Sequence, residues 1–195
     1  MNANARALDG RRRAVRALAA GLALPALPLR PAQAGFNFFT SEYTASRADL
    51  ERELGKQFPQ QRGYGGLVTV ILREPQLGLD AAANRVQLAM ALTLASPLMQ
   101  PAEMPGRLTL SSALRYDPAT LSLRLEQPRA EQLQLAGVTG ADADRLQRVA
   151  AAVAQEALQG QALHTFRRED LTVGRKTYEI GAITVLADGV KVQLL

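Results

Sequence analysis

Large apolar residues alternate with small or polar ones along much of this chain. Between Val86 and Ala95, the residues Val86, Leu88, Met90, Leu92 and Leu94 share one parity, and Gln87, Ala89, Ala91, Thr93 and Ala95 share the other. Side chains alternate faces along a strand, so the stretch predicts a strand with one large apolar face and one small, mixed face. A face of Ala and Thr either lets something pack close or stays open as a shallow surface. The design returns twice. Leu108, Leu110, Leu114 and Tyr116 oppose Arg107, Thr109, Ser111 and Arg115; Leu121, Leu123 and Leu125 oppose Ser122, Arg124 and Glu126. Three consecutive strands of this kind predict an antiparallel meander.

Other elements follow from shorter signals. Leu67 to Arg73 is apolar on both parities, as in a buried strand, and Pro75 and Gly78 mark a bulge or bend before Leu79. A further alternating run holds Leu133 and Leu135, beyond a break at Pro128. The tail predicts strands over Leu163–Phe166, Tyr178–Leu186 and Val190–Leu194, with Asp188-Gly189 as the last hairpin turn. Ser46 is a good N-cap with Asp49 three residues on, and Leu50, Leu54 and Phe58 follow at helical spacing, so a helix is predicted over Ser46–Phe58 with Pro59 ending it. The strongest helix runs from Asp142 to Leu158, with Leu146, Val149, Val153 and Ala157 on one face, Ala150 and Ala154 beside them, and Gly160 as its stop. Gln60 to Gly66 reads as a glycine-rich turn around Tyr64; no Gly-Lys-Ser/Thr follows, so it is not a phosphate loop. Ser96 to Gly106 is a long connection with three prolines and with Leu98, Met99 and Met104 between them. It is either a functional loop or a stiffened connector. The fold class is α+β.

Charge changes the picture at one end only. The net charge is +5, but six of the 23 basic residues and one of the 18 acidic ones lie in residues 1–34. The remainder carries 17 of each, and a neutral chain without a basic stripe is a poor nucleic-acid binder. Arg11-Arg12-Arg13 and Arg16, the apolar stretch Ala17–Leu29, and Ala32-Gln33-Ala34 form the three parts of a secretory signal. Cleavage between Ala34 and Gly35 would leave residues 35–195 as one exported domain, soluble in the periplasm of a Gram-negative bacterium. Arg12-Arg13-Ala14-Val15 only loosely resembles a twin-arginine signal. Gly35-Phe36-Asn37-Phe38-Phe39 then either packs on the sheet or makes peripheral contact with a membrane or ligand. The chain has no cysteine, which excludes thiol nucleophiles, thiolate metal sites and a lipid-modified N-terminal cysteine.

Catalytic chemistry finds little support. His164 is the only histidine. A Ser-His-Asp arrangement would use it with Asp170 or Glu169, but no Gly-x-Ser-x-Gly occurs, and a partly buried strand residue is the plainer reading. Asp49, Glu51, Arg52 and Glu53 read as a solvated helix face. No spacing of His, Cys or acids suggests a metal, and no cofactor is implied.

The run Tyr43-Thr44-Ala45-Ser46-Arg47-Ala48-Asp49-Leu50-Glu51-Arg52-Glu53-Leu54 resembles the opening Tyr-Thr-x-Thr/Ser-x-x-Glu/Asp-apolar-x-x-x-Leu of the YceB-like envelope lipoproteins, a bacterial domain family of unknown function. The later order of meander, helix and closing hairpin is similar too, from about Tyr43 to Leu194. The resemblance implies a curved antiparallel sheet wrapped around a long helix, as in one half of a TULIP lipid-binding domain, with an apolar groove. The family's lipobox cysteine is missing here, so the resemblance does not imply a membrane anchor, and it carries over no catalytic residue. The resulting expectation is non-catalytic binding of a lipid or other hydrophobic small molecule. Leu88, Met90, Leu92, Leu110, Leu114 and Leu123 of the sheet would line the groove with Val149 and Val153 of the helix, and Met99 and Met104 would stand at its mouth. The alternative is an envelope protein with a filled core and a structural or interaction role.

Overall fold

The computed structural model of the chain describes residues 35–37, 41–137, 139–173 and 175–195. The predicted export signal, including Ala34 at its cleavage site, lies outside the described residues, as do Phe38 and Phe39. In chain order the elements are β1 (Gly35–Asn37), β2 (Glu42–Ser46), α1 (Arg47–Gly55), β3 (Gln60–Tyr64), β4 (Val68–Asp80), β5 (Arg85–Ala95), β6 (Glu103–Asp117), β7 (Ser122–Leu135), α2 (Ala141–Leu158), β8 (Ala162–Thr165), a 3-10 turn over Arg168–Leu171, β9 (Thr172–Val173), β10 (Lys176–Thr177), β11 (Ile180–Val185) and β12 (Gly189–Leu194).

The alternating strands build a six-stranded antiparallel sheet of order β3-β4-β5-β6-β7-β8, curled into a half-barrel. On β5 the parity is kept throughout: Val86, Leu88, Met90, Leu92 and Leu94 are buried, while Ala89, Ala91, Thr93 and Ala95 are half-exposed. Cross-strand pairs join these leucines into one layer, as in Leu72 opposite Leu92, Leu88 opposite Leu110 and Leu114 opposite Leu125. A second sheet, β1-β2-β12-β11, contains the predicted closing hairpin of β11 and β12, and adds β2 and β1 beyond β12, a pairing that periodicity did not signal.

Several predicted boundaries move, each for a local reason. Gln60–Tyr64 is not part of a turn: it is an edge strand, polar because one side of it meets only solvent, and Gly65 and Gly66 at φ 59° and 70° make the hairpin to β4. Pro128 does not end its strand. Gln127, at φ 48°, and Pro128 form a bulge opposite Ser112, whose hydroxyl donates to the Glu126 carbonyl at 2.9 Å, and β7 continues to Leu135. The Ser96–Gly106 connection is shorter than expected, because β6 begins at Glu103 and takes in Met104 and Pro105. The bulge expected near Pro75 falls between Arg73 and Gln76, with Glu74 at φ 53°.

Helix α1 is capped as expected, Ser46 Oγ accepting from the Asp49 backbone N–H at 3.3 Å, but it ends at Gly55 rather than Phe58. It packs on β8, β4 and β2. Helix α2 has 18 residues, roughly 27 Å of rise, less than the long helix expected. It lies mainly against β7 and also meets β3 and β4. Its buried face keeps Val153 and Ala157 of the predicted stripe and is shifted toward the alanines beside it. Ala143, Ala150, Val153, Ala154 and Ala157 are buried, Leu146 is half-buried and Val149 is exposed. Alanines let the helix approach the leucine layer closely; Leu146 packs against the margin of the core and Val149 is turned out to the flank. No helix among the described residues is long and apolar enough to cross a membrane.

Candidate functional site

The expected groove residues separate into two sets. Leu88, Met90, Leu92, Leu110 and Leu123 sit inside the core, all at or below 4 % exposure, with Met104 at 6 %. Leu114 and Met99 pack against that core from its margin. Of these residues Met90 alone borders an open depression, a polar one on the outer face of the sheet; Val149 and Val153 line an apolar recess open to solvent. This groove, about 310 Å³, is bounded by Tyr64 of β3 and by Arg148, Val149, Ala152, Val153 and Glu156 of α2. It exists because β3 is the free edge of a sheet that does not close, and because α2 turns Val149 toward that edge.

The register places other apolar groups near the same end of the sheet. Tyr64 pairs with Val68, Thr69 with Ala95, and Ala95 with Glu103, so the β3–β4 and β5–β6 connections are neighbours. They carry Leu67 and Leu98, 52 % and 73 % exposed, next to Tyr64 at 56 %. With Val149, these are four of the five large hydrophobic residues exposed among those described. Leu98 stands where the mouth was expected; Tyr64 and Leu67 were not foreseen, because the strand that ends at Tyr64 was read as a turn, and Leu67, read as the start of a buried strand, lies in the turn before β4. A second apolar recess, about 450 Å³, is lined by Tyr116, Leu121, Leu171, Tyr178 and Ile180 among others. Its large side chains are half-buried or buried and pack against the core. On the outer face of β5 and β6, the predicted small-residue surface forms a shallow depression with Ala89, Ala91 and Thr109 beneath Glu74, Gln76 and Arg107.

Away from that rim, a polar cleft of about 480 Å³ gathers Tyr43, Asp49, Arg52, Glu53, His164, Thr165, Arg167, Glu169, Asp170 and Thr172. Its parts come from β2, α1, β8 and the segment that follows it, through the 3-10 turn to the start of β9. Sequence reasoning paired His164 with Asp170 and Glu169, and all three line this cleft; no serine lines it. The α1 acids are not a uniformly solvated face. Glu51 is exposed, whereas Glu53 turns toward β8, accepting from the Thr165 N–H at 2.9 Å and placing its other oxygen 3.1 Å from His164 Nδ1. That approach is off the N–H axis, so neither imidazole nitrogen has an aligned hydrogen-bond partner, although the side chain is only 5 % exposed. Tyr43 stacks near the ring, and Phe166 meets it edge-on at 4.8 Å.

The electrostatics follow from burial among acids. Desolvation pushes His164 below its ordinary 6.5, against the opposing fields of Glu53, Asp170 and Asp49. Burial, helped by Asp170 and Asp49, pushes the Tyr43 phenol up to about 12. Asp49 is held low by the Ser46 hydroxyl, which donates to Oδ2 at 2.6 Å. Burial pulls Asp170 upward, but hydrogen bonds from the Arg167 side chain and backbone outweigh it and hold the carboxyl low. Among the described residues no group of three His, Asp or Glu side chains is arranged to hold a metal ion. In comparison with known proteins, no family model matches the chain and no curated protein matches it.

Proposed function

We propose that the protein binds a single-chain amphiphile, such as a fatty acid or an acyl chain, non-catalytically in the groove between α2 and the free edge of the curled sheet. The observation that carries this reading is the placement of exposed apolar side chains. Tyr64, Leu67, Leu98 and Val149 are four of five such groups among the described residues, and the register sets three of them on adjoining elements at one end of the sheet. Scattered single hydrophobics need no explanation, but a group rimmed by polar residues marks a binding surface. At about 310 Å³ the groove is at the low end of small-molecule sites, which suits one chain rather than a whole diacyl lipid. Arg148 at its edge is the natural partner for an anionic head group. The recess near Tyr116 is the weaker candidate, because its large side chains already pack against the core.

The wider setting belongs to the same proposal. Element order from Tyr43 onward supports grouping the chain with the YceB-like envelope proteins and reading the curled sheet with α2 as a TULIP-like half-domain. The three-part N-terminus supports export to the periplasm without a lipid anchor. Native mass spectrometry of the purified protein, with solvent extraction of the same sample, tests the binding reading. Co-purified amphiphile, or saturable uptake of a fluorescent fatty acid, is expected. If neither is seen, the groove is vacant by design and the structural role in the envelope is the correct one.

A further inference from the structure

We propose that the protein docks on a lipid bilayer by the uncharged end of its six-stranded sheet, with Leu67 and Leu98 entering the interface. The register collects three connections at that end. Gly63 lies opposite Thr69, Thr69 opposite Ala95 and Ala95 opposite Glu103, and Ala136 donates its N–H to the Pro105 carbonyl at 2.8 Å. The connections are residues 64–68, 96–102 and 136–140. None of their residues is charged, in a chain in which 21 % of residues are. The turns at the opposite end are framed by charge: Asp80 and Arg85 on one hairpin, Asp117 on the next. The sheet is therefore polarised along its strands, and its large exposed side chains Tyr64, Leu67 and Leu98 stand at the uncharged end.

The backbone of these connections is a second, independent observation. The Ser96 N–H donates to the Ala102 carbonyl at 2.8 Å, the Leu98 N–H to Ser96 Oγ at 3.2 Å and the Met99 N–H to the Ser96 carbonyl at 3.3 Å. Pro97 and Pro101 have no N–H to satisfy. The Leu67 N–H donates to the Tyr64 carbonyl at 3.3 Å. A loop in water can leave its donors to the solvent. A loop that enters a bilayer cannot, because each unmet polar group resists leaving water. Both exposed leucines have their donors met within their own turns. Tyr64 beside them is amphipathic, as side chains at a membrane interface commonly are.

The area and the charge pattern select the bilayer over a protein. Two copies meeting end to end would cover only these few side chains, far below the roughly 1,200–2,000 Å² that a stable protein interface buries. A bilayer needs no matching surface and takes up apolar side chains one by one. Arg62 and Glu103, of opposite sign, are the first charges behind the tips. They set a shallow docking, about 5–10 Å into the boundary between head groups and acyl chains. This surface goes beyond the groove, since neither Leu67 nor Leu98 lines it.

The chain has no tryptophan, so an indole introduced by Leu98→Trp reports alone. The full chain is mixed with vesicles of phosphatidylethanolamine and phosphatidylglycerol, with plain or brominated acyl chains. A blue shift of the emission, saturable in lipid, and quenching by the brominated chains are expected. Ala119→Trp, in the exposed turn at the opposite end, controls for the affinity of any exposed indole for an interface and should neither shift nor be quenched. Leu67 is more than half exposed. Adding Leu67→Asp to the Leu98→Trp chain should therefore leave the fold intact and raise the half-saturating lipid concentration about tenfold. Emission from Leu98→Trp that ignores the vesicles overturns the proposal, as does equal quenching at both positions or a half-saturation that Leu67→Asp leaves unchanged. A shift that grows with protein concentration in the absence of lipid overturns it in favour of a second copy. Fatty acid uptake by the parent chain is measured separately: uptake without docking strikes this proposal alone, and docking without uptake strikes the groove reading alone.

Discussion

Two tryptophan substitutions separate the groove from the core beneath it. Leu92 lies on β5 at 1 % exposure, opposite Leu72 and within the leucine layer. Val149 lies on the neighbouring helix at 37 % exposure, facing Tyr64 across the groove. Leu92→Trp must force extra volume into a filled layer, which costs about 1–3 kcal/mol or more. For a domain of this size each kcal/mol moves the midpoint by roughly 2–4 °C, so Tm should fall by about 2–12 °C. Val149→Trp instead grows into open space, and a surface change of this kind stays within about 0.5 kcal/mol, or about 2 °C. Its effect is on the ligand. An indole lying in the groove denies an acyl chain roughly three or four methylenes of burial at about 0.8 kcal/mol each, which amounts to about 3 kcal/mol, or about a hundredfold in affinity. Thermal melts and a fluorescent fatty acid titration measure the two effects on the same samples. The reasoning fails if Leu92→Trp melts like the parent, since the layer would then have room. It also fails if Val149→Trp binds the probe as the parent does, since the occupant would then sit elsewhere. Leu121→Trp, in the recess beside Tyr116, identifies that alternative if it alone blocks the probe.

Three further expectations are independent of ligand. His164 is kept below 6.5 chiefly by burial, so its contribution to stability is complete above 6.5 and is lost as pH falls toward the folded value, at up to about 1.4 kcal/mol per pH unit; Asp49, Asp117 and Asp170, all held below 3.8, act only at lower pH. His164→Phe should abolish the decline in Tm that sets in below pH 6.5 without lowering Tm at neutral pH, because it also removes two unpartnered nitrogens; a decline that persists in the variant assigns it to other groups. Gly106→Ala would put its Cβ 2.4 Å from the Gln134 carbonyl oxygen and 2.9 Å from Leu135 Cδ2, prying β6 from β7, whereas Gly63→Ala meets nothing within 4 Å. Chemical denaturation should show a loss of about 1–3 kcal/mol for the first and no loss for the second, and equal effects would contradict the register. N-terminal sequencing of exported material should begin at Gly35, and a chain retaining Met1 would dispose of the secretory signal.

What could be read from the sequence was local. The β5 strand kept its parity over ten residues, so it announced both its conformation and its buried face, and Ser46 with Asp49 announced the start of α1. Failures came where burial or pairing was decided elsewhere. Gln60–Tyr64 has no apolar alternation because one of its edges is free, so nothing in it distinguished a strand from a turn. On α2 the larger Val149 and Leu146 suggested the buried face, but closeness of approach favoured the alanines, which periodicity weighs less. The polar cleft was illegible for a different reason. Glu53 and His164 are separated by more than 100 residues, and only the packing of α1 on β8 brings them to 3.1 Å. Asp170, close to His164 in sequence, was the acid that could be noticed, but its carboxylate is held by Arg167.

The position of β12 has a consequence for how the molecule comes into being. This strand is built from the final residues, yet it occupies an interior place in its sheet, with Val192 set against Tyr43 and Ile183 on its two sides. Until Leu194 has been synthesised, β2 has no partner on that side, and Ala45 and Tyr43 lack part of the surface that covers them. A nascent chain therefore emerges with one edge of β2 unmatched, and the closing step joins segments about 150 residues apart in sequence. Such long-range closure is slow compared with local hairpin formation. The delay leaves the polypeptide open along this seam while it is being made, so the covering of Tyr43 and Ala45 is a late event in folding.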